Sequence, residues 1–282
     1  MGLPGEPECR GERRAAACAL GRGVDMTSEM LRTAVEAARQ AGALALEMLP
    51  RERDLRTKGT RDVVTDVDLA AERAIIGLIG SRFPDHAIVS EEAGASGGET
   101  NFTWIVDPLD GTRNYARRLP LFAVSIAVLE ARTPIIGVVY DPVRGHMFTT
   151  VRGGGARLND EPLRVSPVPD LAGALVNLGW GRRDQERSTA LGIAGNLLPR
   201  CSSLRTLGSA ALAVAYVAAG WLDAYVSLVV RSWDVAAGAL AVVEAGGECT
   251  TPRGDAYRAD SVGCVASNGL VHDELLAAIG EV

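Results

Sequence analysis

The sequence predicts a mixed α and β protein with a sheet-rich middle. Three observations carry this: two helical apolar patterns near the start, short apolar segments punctuated by turn residues in the centre, and alternating helical and extended patterns from there to the C-terminus. Residues 1–25 mix Gly, Pro, Glu and Arg without apolar periodicity and are read as a disordered tail, or as a translation start set upstream of a true one at Met26. The fold is assigned to residues 26–282 as a single unit, with an N-terminal α+β half over about 26–165 and a C-terminal α/β half over about 166–282.

From Ser28 to Leu49, the residues Leu31, Val35, Ala38, Leu46 and Leu49 recur at roughly helical spacing until Pro50 ends the run. A polar loop through Lys58 and Gly59 follows. Asp68 then opens a second helical pattern, with Leu69, Ile75, Ile76 and Ile79 apolar and Pro84 as its stop. Ala87 to Ser90 and Thr103 to Asp107 read as strands with carboxylates at their ends, Glu91 just past the first and Asp107 closing the second. Phe122 to Leu129, Ile135 to Tyr140 and His146 to Val151 form a meander divided by Asp141-Pro142 and Gly145. Beyond it come a strand near Ala174 to Leu178, helices at Asp184 to Leu198 and Ser209 to Ala219, and a strand at Asp223 to Val230. An Ala-rich helix at Trp233 to Ala245 stops at Gly246-Gly247, and a strand at Val262 to Ala266 and a helix at Val271 to Ile279 finish the chain.

The chain has 282 residues, 47% hydrophobic and 23% charged, with a net charge of -6. The acidic balance argues against non-specific binding to nucleic acid or an anionic membrane, since both require excess cationic surface. No apolar run approaches the ~18 residues of a membrane span. The five cysteines (Cys9, Cys18, Cys201, Cys249, Cys264) are odd in number and contain no C-x-x-C pair, which reads as free thiols in a reducing cytoplasm.

The strongest chemical signal is Trp104-Ile105-Val106-Asp107-Pro108-Leu109-Asp110-Gly111-Thr112, a buried strand running into two carboxylates, a glycine and a hydroxyl. Carboxylates at a strand end suit a hard cation, and Gly111 lets backbone amides approach an anion closely. Three further segments carry acids: Ser90-Glu91-Glu92 after a strand, Val64-Thr65-Asp66-Val67-Asp68 before a helix, and Trp233-Asp234-Val235-Ala236-Ala237-Gly238 at the start of another. Singly, each has a plain structural explanation, such as complementing a helix dipole. Together, in this order, they resemble the defining set of the inositol monophosphatase family of lithium-sensitive, magnesium-dependent phosphatases, from about Ser28 to the C-terminus.

That resemblance implies a layered α-β-α-β-α sandwich of the sugar-phosphatase type, commonly a homodimer. It also implies two or three Mg2+ ions per site. Glu91, Asp107 and the carbonyl of Leu109 would hold one, Asp107, Asp110 and Asp234 a second, and Glu91 a third and weaker one. Asp68 would be the proton acceptor for the attacking water and Thr112 its positioning link, because a hydroxyl alone is not a strong base. Gly111 and Thr112 would cradle the phosphate through their amides, and Gly208, Ser209 and Ala210 would meet the substrate at a helix N-terminus. Lys58 matches a family lysine on a mobile loop, and Arg205 and Asp223 match a structural ion pair.

The implied function is hydrolysis of a small phosphorylated metabolite, inositol 1-phosphate or a related polyol or sugar phosphate. Ser227 stands where animal inositol phosphatases carry a glutamate that binds inositol hydroxyls, and Arg231 is placed to contact a second anionic group. Histidinol phosphate, fructose 1,6-bisphosphate, a 3′-phosphonucleotide and NADP are therefore alternative substrates. A rival from another class is a non-catalytic regulatory or binding protein that keeps the fold. The aspartyl-phosphate route requires Asp-x-Asp, and Asp107 to Asp110 is one residue too wide.

Overall fold

The computed structural model describes the backbone of residues 10–50, 56–59 and 62–280; side chains of 10–25, 58, 62 and 63 are outside the description. The first half contains α1 (Arg10–Met48), β1 (Arg56–Gly59), β2 (Asp62–Val64), α2 (Asp66–Arg82), β3 (Ala87–Ser90), β4 (Gly94–Ser96), β5 (Phe102–Asp110) and α3 (Thr112–Ala116). A meander follows: β6 (Ala123–Glu130), β7 (Thr133–Asp141), β8 (His146–Val151), β9 (Gly155–Leu158) and β10 (Glu161–Pro162). The second half contains β11 (Leu175–Leu178), α4 (Asp184–Leu197), β12 (Ser203–Arg205), α5 (Ala210–Ala218), β13 (Ala224–Ser227), α6 (Ser232–Glu244), β14 (Glu248–Thr250), β15 (Cys264–Ser267) and α7 (His272–Gly280).

Eight strands form one sheet in the order β10-β9-β8-β7-β6-β5-β3-β4, antiparallel except where β3 runs parallel to β5. Five form a second, β12-β11-β13-β15-β14, with β11 parallel to both its neighbours. The strand sequences explain the layering. On β5, Trp104 and Val106 face α1 and α2, packing with Met30, Ala34, Ala38, Ile75 and Ile79, whereas Ile105 faces the α5–α6 pair. A strand covered on both sides reads as a continuous apolar run instead of an alternating one. On β13 the same alternation places Tyr225 against α5 and α6, and Ala224 and Val226 against α4 and α7. The order is thus helix, sheet, helix, sheet, helix, as the resemblance implies.

Small residues let the central helices approach closely. A Cβ on Gly137 of β7 would lie 2.6 Å from the carbonyl oxygen of Ala237, and one on Gly238 would lie 2.8 Å from Val214 Cγ1. The alanines of α5 and α6 therefore bury backbone against sheet, and α6 lies directly on β7.

Several elements differ from the sequence expectation. Helix α1 extends back to Arg10, so part of the segment read as a tail is helical; residues 1–9 lie outside the described residues. The Lys58 loop is a short hairpin of β1 and β2. Strand β13 stops at Ser227 instead of Val230, and β15 begins at Cys264 instead of Val262, because Gly263 takes a positive φ of 78° and Val262 is exposed. Helix α3 and strands β4, β9, β10, β12 and β14 are additions, most of them two to four residues long.

Candidate metal centre

Strand ends and helix starts bring the acids together. Strand β5 carries Asp107 into the interior, and its register with β6 shifts between Asp107 and Asp110, so that Pro108 and Leu109 bulge and both carboxylates remain buried. Glu91 follows the end of β3, beside β5. Asp234 stands at the third position of α6, where its Oδ2 accepts the backbone N–H of Arg231 at 2.9 Å. Glu91, Asp107 and Asp234 each offer a carboxylate oxygen, and these oxygens lie within 4.8 Å of one another.

Asp110 borders this trio, but its Oδ2 is directed to the N-terminus of α5. It accepts the N–H of Ala211 at 2.9 Å and the hydroxyl of Ser209, and a further bond comes from the N–H of Ala210. Ser209 and Ala210, expected at the substrate, are thus occupied in holding Asp110, while Ser209 also caps α5 by accepting from Leu212 N.

Asp68 is the third residue of α2 and closes a capping box with Thr65: its Oδ2 accepts Thr65 N–H at 2.8 Å and the Thr65 hydroxyl. Its other oxygen, Oδ1, is 3.1 Å from Thr112 Oγ1, and the same hydroxyl lies 3.1 Å from the carbonyl oxygen of Leu109. Gly111 holds φ at 88°, and a Cβ there would lie 2.8 Å from Leu121 O, so this corner requires glycine.

The electrostatics follow from crowding like charges away from water. Burial raises the Asp107 carboxyl well above the usual carboxylate range, and the neighbouring Glu91, Asp110 and Asp234 raise it further. Burial, then Asp110, pushes Asp234 up to about 7. Burial outweighs the hydrogen bonds from Ser209, Ala211 and Ala210 to raise Asp110 to about 6, and outweighs those from Thr65 and Thr112 to raise Asp68 to about 6. An all-oxygen set of mutually repelling carboxylates fits a hard divalent cation, which relieves the repulsion that otherwise retains protons.

Other expected positions fall differently. Ser227 ends β13 as a buried residue bonded to Tyr225, with Gly179 close against its Oγ. Arg231 is exposed and contributes its backbone N–H to Asp234. The expected Arg205–Asp223 ion pair is not formed: buried Asp223 accepts from Leu175 N at 2.6 Å and from Ser166, while exposed Arg205 bonds to Ser203 and to Leu204 O. Gly208 has φ 74° and packs its backbone against the Asn114 amide, which bonds to both Leu121 O and Leu207 O at 2.8 Å. The Lys58 side chain lies outside the described residues. The sequence reading did not anticipate Arg182, whose Nη2 is 3.9 Å from Glu91 Oε1. Its backbone is fixed by Glu186, which accepts the N–H groups of both Arg182 and Arg183, and no local pattern announces a pairing between segments so far apart in the chain.

With fold and acidic centre in view, comparison with known proteins gives the class: residues 26–282 match the inositol monophosphatase family, and the chain belongs to it. Among its relatives, the Nus factor SuhB of Escherichia coli is 46% identical over 223 residues, 77% of this chain and 83% of that protein. The Nus factor SuhB of Pasteurella multocida is 45% identical over 222 residues, 77% and 83% of the two chains. Among solved structures, the extragenic suppressor protein suhB of Bartonella henselae superposes with a TM-score of 0.85 at 33% identity, covering 89% of this chain and 98% of that one. An inositol monophosphatase of Thermotoga maritima gives 0.84 at 34%, covering 90% and 97%. Nothing in these comparisons supports the expectation, drawn from charge alone, that no nucleic acid is bound. Among the described residues no helix is long and apolar enough to cross a membrane.

Proposed function

We propose that the chain is a magnesium-dependent phosphatase acting on a small phosphate monoester, inositol 1-phosphate or a related polyol or sugar phosphate. The observation that carries this reading is the meeting of Glu91, Asp107 and Asp234 oxygens within 4.8 Å, beside a hydrogen-bonded Asp68–Thr112 pair. Glu91, Asp107 and the Leu109 carbonyl would hold one ion, Asp107, Asp234 and the Oδ1 side of Asp110 a second, and Glu91 a third. Bound there, magnesium would neutralise phosphate charge and make the attacking water more acidic.

The chain's own residues supply the rest. By donating its proton to Asp68 Oδ1, the Thr112 hydroxyl turns its lone pairs outward to accept a hydrogen bond from water and so fix the direction of attack. Asp68, raised to about 6 by burial, is ionised at neutral pH yet more basic than an exposed carboxylate, which suits a proton acceptor. The Gly111 and Thr112 amides would cradle the phosphate.

Ser227 is too short and too buried to replace a ring-binding glutamate, so the site does not single out inositol. Histidinol phosphate, fructose 1,6-bisphosphate, a 3′-phosphonucleotide and NADP stay on the substrate panel. The three described thiols, Cys201, Cys249 and Cys264, are free, in keeping with a reducing cytoplasm, and a homodimer is part of the proposal.

A second reading, a regulatory protein that keeps the fold without turnover, is favoured by the Nus-factor name of the relatives. Phosphate release across this panel, with Mg2+ or with EDTA, separates the two. The enzyme reading expects Mg2+-dependent release from at least one monoester and its loss in Asp107→Asn. No release from any monoester by folded protein overturns it in favour of the regulatory reading.

A further inference from the structure

We infer that Glu72 on α2 is a positioning residue: it sets the turn that carries Glu91 and so controls how tightly the acidic centre holds its divalent cation. The inference rests on the metal-site reading above. Glu72 is buried and lies four residues beyond Asp68, on the same face of α2. Its Oε1 accepts three hydrogen bonds, from Glu92 N at 3.0 Å, from Ala93 N at 3.0 Å and from the Ser90 hydroxyl. Ser90 ends β3, while Glu92 and Ala93 lie in the turn between β3 and β4, so the three donors bracket Glu91 on both sides.

The Glu91 N–H itself bonds to Val106 O at 3.2 Å, tying the turn to β5 just before Asp107. Ser90 and Glu91 therefore send their side chains in different directions, one to Glu72 and the other to the acidic trio. Consecutive amides converging on one carboxylate oxygen form a small anion nest, and bonds to an ionised acceptor are stronger than neutral ones. A ligand's supporting residues fix its orientation, and weakening them lowers metal affinity even when the ligand is intact. An apolar side chain at position 72 would extend the Ile75–Ile79 stripe into the core but leave two amides and a hydroxyl without their acceptor. Helix α2 thus serves the centre twice, through Asp68 at Thr112 and through Glu72 at Glu91.

The test is calorimetric titration of Mg2+ into the wild type, Glu72→Gln, Glu72→Ala and a control, Ile193→Ala, which opens the core beneath α4 away from the centre. Thermal unfolding is recorded for each. Gln keeps an acceptor oxygen without the charge, so about 10-fold weaker Mg2+ binding is expected for Glu72→Gln and a loss approaching ~100-fold for Glu72→Ala. Ile193→Ala should lose stability at unchanged Mg2+ affinity. If Glu72→Ala does not fold, Glu72→Gln decides. Wild-type affinity in Glu72→Gln, or an equal weakening in Ile193→Ala, overturns the inference while the metal reading stands; no Mg2+ uptake by the wild type overturns both.

Discussion

Thr112 is held between two acceptors, Asp68 Oδ1 and Leu109 O, each 3.1 Å away, and its one proton can satisfy only one at a time. If it links Asp68 to the attacking water, Thr112→Val should lower kcat by about 10²-fold or more, the scale of a lost acid–base contribution. Thr112→Ser should restore most of the rate, and Mg2+ affinity should be little changed in both. Single-turnover phosphate release checks this, and a Val variant at full rate would remove Thr112 from the mechanism. The residues of this centre were legible in the sequence because each sits in a compact motif at a strand end or helix start. Arg182 and Glu72 were not, since their importance comes from partners 91 and roughly 20 residues away, met only after folding. The Arg205–Asp223 pair was misread for the same reason: Leu175 N and Ser166 reach Asp223 first.

At the level of elements, α2 and α6 use one device. The third residue of each, Asp68 or Asp234, returns one oxygen to the backbone N–H of the cap, at 2.8 Å and 2.9 Å respectively, and so fixes the carboxylate that serves the centre. How closely α6 approaches the sheet decides where Asp234 stands, and Gly137 permits that approach. Gly137→Ala should cost about 1–3 kcal/mol through overpacking against Ala237 and, by lifting α6, weaken Mg2+ binding. Urea unfolding and a Mg2+ titration check it; wild-type stability would mean the helix yields without strain. Long helices and the central strands were readable from periodicity. The short strands were not, because β4, β9, β10, β12 and β14 carry two to four residues each, too few to show a period, and are held by neighbours already in place.

For the molecule as a whole, the two halves meet at the acidic centre, with Asp107, Asp110 and Glu91 from one and Asp234 from the other. Their raised carboxyls make stability depend on protons. A group whose folded pKa is raised stabilises the fold below its unfolded pKa, and that contribution is lost as pH rises through the folded value. With Asp68 and Asp110 near 6 and Asp234 near 7, EDTA-treated protein should lose melting temperature between about pH 5 and pH 8. Mg2+ should restore more at pH 8 than at pH 5, where protons occupy its place; scanning fluorimetry at both values checks the sign. The central claim, that acids from distant segments share divalent ions, is tested most directly by titrating Mg2+ into the wild type and into Asp234→Asn at pH 7.5. The account predicts saturable uptake by the wild type and, in the variant, the loss of at least one bound ion or a large fall in affinity. Identical isotherms for the two proteins would contradict it.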